Sequence, residues 1–464
     1  MENDKVKVTH SKANLASYGF GSMSREFVQM AFNVLVFFYY ETEVGLNVWL
    51  IGFGLVIFAV WNAINDPLIG YLTNRPFKFT RKWGRRLPWI LLGGIPLGFA
   101  YFLLFTPPAV DPESGAWILF GWLVFTTCLF DTLHSLFFVN FQSVFPDKFR
   151  SVDERRTATG IQIILGVIGV TLGAMLPPLF ITYGQIETYI FQGILVFVIT
   201  LVTLLLSIPG VKEDPETIEV YLSSSEREEK RTPFLESMKY AFKQKSFVAY
   251  IFLYTMYWVI INSVEASIPY LVRFSLKLPA SATTFVMGGF LLGAVVSIPI
   301  WVKMAKKTND NGKIMLICAV LMGLTMIPLF FIGSYLGAIL GAFLFGLAQG
   351  GYWAMIFPVF SDVIDESVVL HKKREEGTYI GIQQFFGRLG LIIQVMSFAI
   401  IHELTGFEEG ADTQTPLAIL GIHIHLAIVP MICVLLGALV FWRLYDLKPE
   451  NVDKHQEVIK TLKI

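Results

Sequence analysis

Asn62, Asn65 and Asp66 stand at i, i+3 and i+4 within VWNAINDPLIGYLTNR (60–75), so a helix would carry all three on one face. One carboxylate with two amide carbonyls is a hard oxygen set, suited to a small cation. Asp66 alone could instead take up a proton. The plain structural alternative is that Asp66 pairs with a basic residue or caps backbone beside the basic loop that follows. Further ionisable residues stand inside apolar runs: Arg25 and Glu26, Asp131 and His134, Glu265, and Arg388. A charge at the centre of a membrane helix costs about 2.5–3.5 kcal/mol on the insertion scale, so each needs a partner, a cavity or a ligand. Arg25 and Glu26 are adjacent and point about 100° apart on a helix. That spacing predicts partners on other helices, and it assigns both to substrate binding or coupling. Asp131 and His134, at i and i+3, can touch, either as substrate-facing groups or as a buried pair that stabilises the bundle. Glu265 reads as an entrance residue, and His423 and His425, on different faces, as non-ligands. Trp353 follows Gly346, Gly350 and Gly351, which allow close backbone approach. Its ring is either a stacking platform for a sugar or apolar group, or a packing tryptophan.

The elements that must position these groups are membrane helices. The 464 residues are 54% hydrophobic and only 16% charged. Apolar stretches of about 20 residues recur, the length that crosses a bilayer core. A β-barrel would show short alternating segments instead. The fold class expected is therefore an all-α polytopic membrane protein. Twelve transmembrane helices are read at 17–40, 46–73, 87–107, 116–145, 158–182, 189–209, 247–271, 281–304, 314–333, 336–361, 377–402 and 416–445. Cys128, Cys318 and Cys433 each lie in an apolar stretch and form no disulfide framework. The polar first 16 residues lack a cleavable-signal pattern, so the first helix is expected to stay as an anchor. Basic residues collect in the loops RPFKFTRKWGRR, KMAKKTNDNGK and HKKREEG, whereas AVDPESG, YGQIET and HELTGFEEGADTQTP are acidic or neutral. The positive-inside rule then places both termini in the cytoplasm.

The longest polar interruption, GVKEDPETIEVYLSSSEREEKR, divides the chain into halves. The expected organisation is a six-helix half over 1–209, a linker over 210–246, a second six-helix half over 247–445 and a cytoplasmic tail over 446–464. Within the linker, PFLESMKYAFKQKS places apolar residues at helical spacing with Lys opposite, which predicts an interfacial helix. The halves also repeat. FQSVFPDKFRSVDERRTATGIQ and FPVFSDVIDESVVLHKKREEGTYIGIQQ both run VF-x-D, a charged loop, then GIQ. Asp147 thus pairs with Asp362, and Gln162 with Gln383.

WNAINDPLIGYLTNR…RKWGRRLPWILLGGIP, ASYGFGSMSREF, FPDKFRSVDERRT and SDVIDESVVLHKKREEGTYIGIQQFFGRLG, in that order, resemble the glycoside–pentoside–hexuronide:cation symporters. That is the melibiose permease group of the major facilitator superfamily, and the resemblance spans nearly the whole chain. It implies two halves rocking around a midplane site. It implies that Asp66 and Asn65 belong to a cation site, that Asn62 stands where that site has a second carboxylate, and that Ser135 supplies a hydroxyl. Glu26 matches the sugar-contacting acid of the first helix and Arg25 the base before it. Trp353, Gln383, Gln384 and Arg388 fall at cavity positions, Arg388 where the family has Lys. Three departures stand out: Phe138 replaces the acid of span 4, Gln142 a nearby Trp, and Gln162 the Arg of span 5. Asp131, two turns from Phe138, could compensate in part. The longer loop after span 2 leans toward the animal lysolipid symporters.

These readings combine into a cation-coupled symporter of a sugar or glycoside-like solute, not an enzyme, working by alternating access. Its expected cation group is Asp66, Asn62, Asn65 and Ser135. Its expected substrate group is Glu26, Arg25, Asp131, Gln162, Trp353, Gln383, Gln384 and Arg388. No cofactor is expected beyond Na⁺ or H⁺ as coupling ion, and no metal beyond Na⁺. The expected partners are a small carbohydrate-like solute and the lipid bilayer, with no nucleic acid, and the chain is expected to be a monomer in the plasma membrane. The alternatives are an amphiphile carrier, for example of a lysolipid, and an intramembrane enzyme.

Overall fold

The computed structural model describes residues 10–73, 77, 80–149, 151–214, 218, 241–372 and 376–462. Among these residues every regular element is helical. The chain divides into two compact units, Met1–Glu229 and Lys230–Ile464. The first holds α1 (Lys12–Thr42), α2 (Val48–Thr73), the single turn α3 (Thr80–Trp83), α4 (Leu87–Leu104), α5 (Ala116–Lys148), α6 (Val152–Met175) and α7 (Ile186–Val211). The second holds α8 (Lys245–Tyr270), which runs on as a π-helical turn, then α9 (Ala282–Thr308), α10 (Asn311–Phe330), α11 (Tyr335–His371) and α12 (Glu376–Thr405). It ends with α13 (Pro416–His423), a second π-helical turn, α14 (Val429–Leu444) and α15 (Pro449–Leu462).

The twelve expected spans fall on α1, α2, α4 to α12 and the α13–α14 run. Eleven of them are long and apolar enough to cross a membrane. The remaining one, α1, is 31 residues long. It falls short in apolarity because Ser22, Arg25, Glu26, Gln29 and Asn33 line it. The region expected as tail carries α15, which packs on α11. Of the expected interfacial helix over 233–246, residues 233–240 lie outside the described residues, as does most of the linker, and its last two residues open α8.

Within each unit the helices approach through small residues, as they must where lipid tails remove the hydrophobic drive for association. Gly169 and Gly173 of α6 lie against the backbone of Met23 and Phe27 in α1. Gly346 and Gly350 of α11 lie against the Phe290 and Ala294 carbonyls of α9. Serines supply acceptors for the orphan N–H groups of helix starts: Ser11 for α1, Ser151 for α6 and Ser334 for α11.

Gly84 shows why the basic loop of the first unit reads WGRR. Its φ is +84°, and a Cβ there would run into the Glu213 carboxylate. That carboxylate accepts the Arg86 backbone N–H at 2.9 Å and so closes the start of α4. Gly84→Ala therefore meets both a left-handed backbone and a clash. The expected outcome is a loss of about 1–3 kcal/mol, read as a lower thermal midpoint of the purified protein in detergent.

Candidate functional site

In the first unit α2 and α5 are joined by a polar seam. Asn62 Nδ2 and Asn65 Nδ2 both donate to Asp131, Asn62 to Oδ1 and Asn65 to Oδ2, the latter at 3.0 Å. One turn along, Ser135 Oγ donates to Asp66 Oδ1. Trp61 Nε1 adds a bond to Thr132 Oγ1 at 3.0 Å. The local reason is periodicity. Asn62 and Asp66 stack at i, i+4 on α2, Asp131 and Ser135 at i, i+4 on α5, and the two rows meet. Asp131 is 3% exposed and Asn62 5%. A carboxylate oxygen only accepts, so both amides must turn their NH₂ groups toward Asp131. Asn62 Oδ1 is thereby turned away, buried and without a hydrogen-bond partner. A buried carbonyl left unpaired costs about 1–3 kcal/mol. The seam thus gathers two carboxylates, a hydroxyl and one unsatisfied amide oxygen. This donor set fits a small hard cation.

The second unit offers an internal control. In the register that pairs Asp147 with Asp362, Asp131 falls on Gly346 and Ser135 on Gly350. In the register that pairs Pro67 with Pro299, Asn62 falls on Ala294, Asn65 on Ser297 and Asp66 on Ile298. These are the residues that meet there: Gly346 and Gly350 of α11 pack directly on Ala294 and its neighbours in α9. The same helix pair can therefore close through small residues alone.

The Arg25–Glu26 pair corrects the expectation that neighbours on a helix cannot pair. Arg25 Nη1 donates to Glu26 Oε1 at 2.5 Å. The long Arg stem wraps the angular gap that separates the two Cβ directions. Its guanidinium also lies 3.8 Å above the ring centre of Phe138, a cation–π contact. Arg25 Nε is buried with no hydrogen-bond partner. Phe138 is the last ring of a column on α5. Phe32 stacks on Phe130 at 4.8 Å, Phe130 faces His134 at 6.1 Å, and His134 faces Phe138 at 5.8 Å. Phe130, His134 and Phe138 are spaced i, i+4, i+8, one step round the helix from Asp131 and Ser135. The α1 pair and the α2 seam therefore share α5 as a wall. Gln29 Nε2 donates to Asn33 Oδ1 at 2.9 Å and extends the polar row beyond Arg25. Gly166 of α6 faces Glu26, with Gln162 half-buried one turn away.

In the second unit Gln383 is buried and donates to Tyr250 OH, while Gln384 is exposed. Arg388 stands near Tyr254. Gly387 and Gly390 of α12 pack on Trp258 of α8. Trp353 stands half-buried on α11. One residue earlier, Tyr352 stacks on Tyr257 at 4.3 Å, and Gln349 Nε2 donates to Tyr257 OH at 2.8 Å. Tyr250, Tyr254 and Tyr257 thus form one aromatic row along α8, with Trp258 beside it, facing α11 and α12. Sequence reading missed this row, although its i, i+4, i+7 spacing was there to be found. It also missed Gln29 and Asn33, whose uncharged amides raised no alarm in an apolar run. The histidines are structural links: His423 bridges Ser275 Oγ and the Phe330 carbonyl, and His425 meets Ser267 Oγ at 2.8 Å.

A family model described as MFS/sugar transport protein matches residues 17–448. The sodium-dependent lysophosphatidylcholine symporter 1-A of Danio rerio is 20% identical over 453 residues, covering 88% of this chain and 80% of its own. The isoprimeverose transporter of Lactiplantibacillus pentosus is 22% identical over 430 residues, covering 89% and 85%. Among solved structures, the nucleoside transporter NupG superposes with a TM-score of 0.65 at 13% identity, covering 94% of this chain and all of its own. That likeness is one of fold.

Proposed function

The chain belongs to the MFS/sugar transport protein family, and on that premise we propose that it is a sodium-coupled symporter of a sugar or glycoside-like solute. It is a multi-pass membrane transporter of the major facilitator fold, not an enzyme. The ion site of this proposal is the α2–α5 seam: Asp66, Asn62, Asn65, Ser135 and, moved here from the substrate group, Asp131. One observation carries it. Asn62 Oδ1 is a buried oxygen with no partner, on a side chain whose amide donates to the Asp131 carboxylate, where the second unit has Ala294 and Gly346. A proton would satisfy one carboxylate and leave that amide oxygen unpaired. A bound Na⁺ supplies positive charge to all of these oxygens at once. Coupling then requires that the ion favour the state that binds solute more tightly. Within the first unit the candidates for solute contact are Arg25, Glu26, Gln29 and Asn33; within the second, taken by itself, they are Trp353, Gln383, Gln384 and Arg388. The basic loops support an orientation with both termini cytoplasmic, and residence in the plasma membrane as a monomer completes the proposal.

A second reading is favoured by a specific observation. The Arg25 guanidinium lies over the Phe138 ring, so the station is at once charged and apolar. An amphiphile suits such a surface, and a sodium-dependent lysophosphatidylcholine symporter is among the relatives. Uptake into proteoliposomes tests both readings. A glycoside or a lysolipid should accumulate under an inward Na⁺ gradient, and the one that does identifies the solute class. Accumulation driven equally well by a proton gradient in Na⁺-free buffer would overturn the sodium assignment.

A further inference from the structure

The inner end of the first unit holds a histidine that neither ion nor solute binding uses. His10, just before α1, sends Nδ1 to Glu154 Oε1 at 2.7 Å and Nε2 to Asp214 Oδ2 at 3.0 Å. Its backbone N–H reaches the same Glu154 oxygen at 2.7 Å. Its ring meets Phe149 edge-on at 5.6 Å. The His10 side chain is 8% exposed, Glu154 5% and Asp214 34%. Ionised carboxylates only accept, so both ring nitrogens must donate, which only the imidazolium does. Glu154 makes the point a second way. It stands three residues after Ser151, the cap of α6, where such a glutamate ordinarily reaches back to its own cap. Here it is turned to His10 instead, and its other oxygen is buried without a partner.

The segment so gripped is the exit of α7. Lys148 donates to the carbonyls of Pro209 at 3.2 Å and Lys212 at 2.9 Å. Asn14 Nδ2 donates to the Pro209 carbonyl at 2.8 Å, and Ser17 Oγ accepts the Gly210 N–H at 2.8 Å. Glu213 holds the Arg86 backbone N–H. These bonds are carried by neutral groups or by charges other than an imidazole. His10 is the member whose two side-chain bonds both need an imidazolium, because each ring nitrogen faces a carboxylate oxygen.

We propose that His10 is a proton-operated latch that ties the exit of α7, where the chain leaves the first unit, to the starts of α1 and α6. The protonated form makes both bonds, so the latch is full on the acid side and weakens as pH rises and the imidazolium is lost. The charged groups around it are Glu154 from α6, Asp214 and Glu213 after α7, Lys148 from α5 and Lys12 at the start of α1. Burial pushes Lys148 down to about 8, against the pull of Asp214, Glu154 and Glu213. Lys148 begins to lose charge toward the top of a scan from about pH 5 to 7.5, so variants of His10 that leave Lys148 in place are what separate the two groups.

Hydrogen–deuterium exchange of the full-length protein in detergent, corrected for intrinsic rates, tests the latch. In the natural protein, amides of 210–214 should exchange on the order of tenfold faster at the alkaline end of the scan than at the acid end. His10→Arg should stay protected throughout, and His10→Gln should exchange fast throughout. A flat profile in the natural protein, or protection retained in His10→Gln, overturns the proposal. Glu154→Gln, which leaves the histidine in place, should also flatten the profile, and a pH response that survives it counts against the latch.

Discussion

Replacing Asp131 by asparagine is expected to raise the Na⁺ concentration needed for half-maximal uptake about 10- to 100-fold, with solute affinity at saturating Na⁺ little changed. The reason is the seam's hydrogen bonding. Asp131 receives Asn62 and Asn65 together, so an amide in its place must present a donor to a donor. It also removes one of two carboxylates from a site whose remaining oxygens are neutral or shared with Ser135. Asp66→Asn should behave alike. The sharper form of the experiment copies the second unit into the first: Asn62→Ala, Asn65→Ser and Asp131→Gly together. The matching α9–α11 pair closes through these residues, so the triple variant should insert and fold. It should keep a thermal midpoint near the parent's yet lose the stabilisation that Na⁺ confers on the parent. Ligand stabilisation follows RT ln(1 + [L]/Kd), so a parent that gains nothing from Na⁺ would remove the ion site altogether. Solute affinity that collapses in Asp131→Asn at saturating Na⁺ would return this residue to the substrate group.

The second large effect is expected at Arg25 and Glu26. Either Arg25→Ala or Glu26→Gln should cost about 1.5–3 kcal/mol of solute transport, a 10- to 100-fold fall in uptake at low solute, because each leaves a half-buried charge without its partner. The pair acts as one unit, so Arg25→Ala/Glu26→Gln should be little worse than the poorer single variant. Fully additive losses would show that solute meets the two groups separately. Phe138→Ala separates the ring from the charges. It removes the surface under the guanidinium while leaving the ion pair intact. A loss confined to lysolipid uptake would select the amphiphile reading, and a loss confined to glycoside uptake would select the sugar reading.

Much of this protein was legible before any coordinates. Helix positions follow from apolar run length, because a bilayer imposes that length on every span, and each expected span has its helix, although α6 (Val152–Met175) lies toward the N-terminus of the expected 158–182 and α11 (Tyr335–His371) runs well past the expected end at 361. Asn62, Asn65 and Asp66 could be placed on one face because helical periodicity alone decides it. The repeat around Asp147 and Asp362 was visible as matching motifs. Tertiary structure decided which rows meet. Asp131 lies far along the chain from Asn62, and nothing in spacing tells whether it faces α2 or the solute. The contact depends on how α5 is rotated against its neighbours, which packing sets. The Arg25–Glu26 pair was misjudged for a related reason. Cβ directions follow from sequence position, but a long flexible side chain can curl wherever a surface such as Phe138 supports it. His10 drew no attention because its partners, Glu154 and Asp214, come from distant segments that only the folded unit brings to one imidazole.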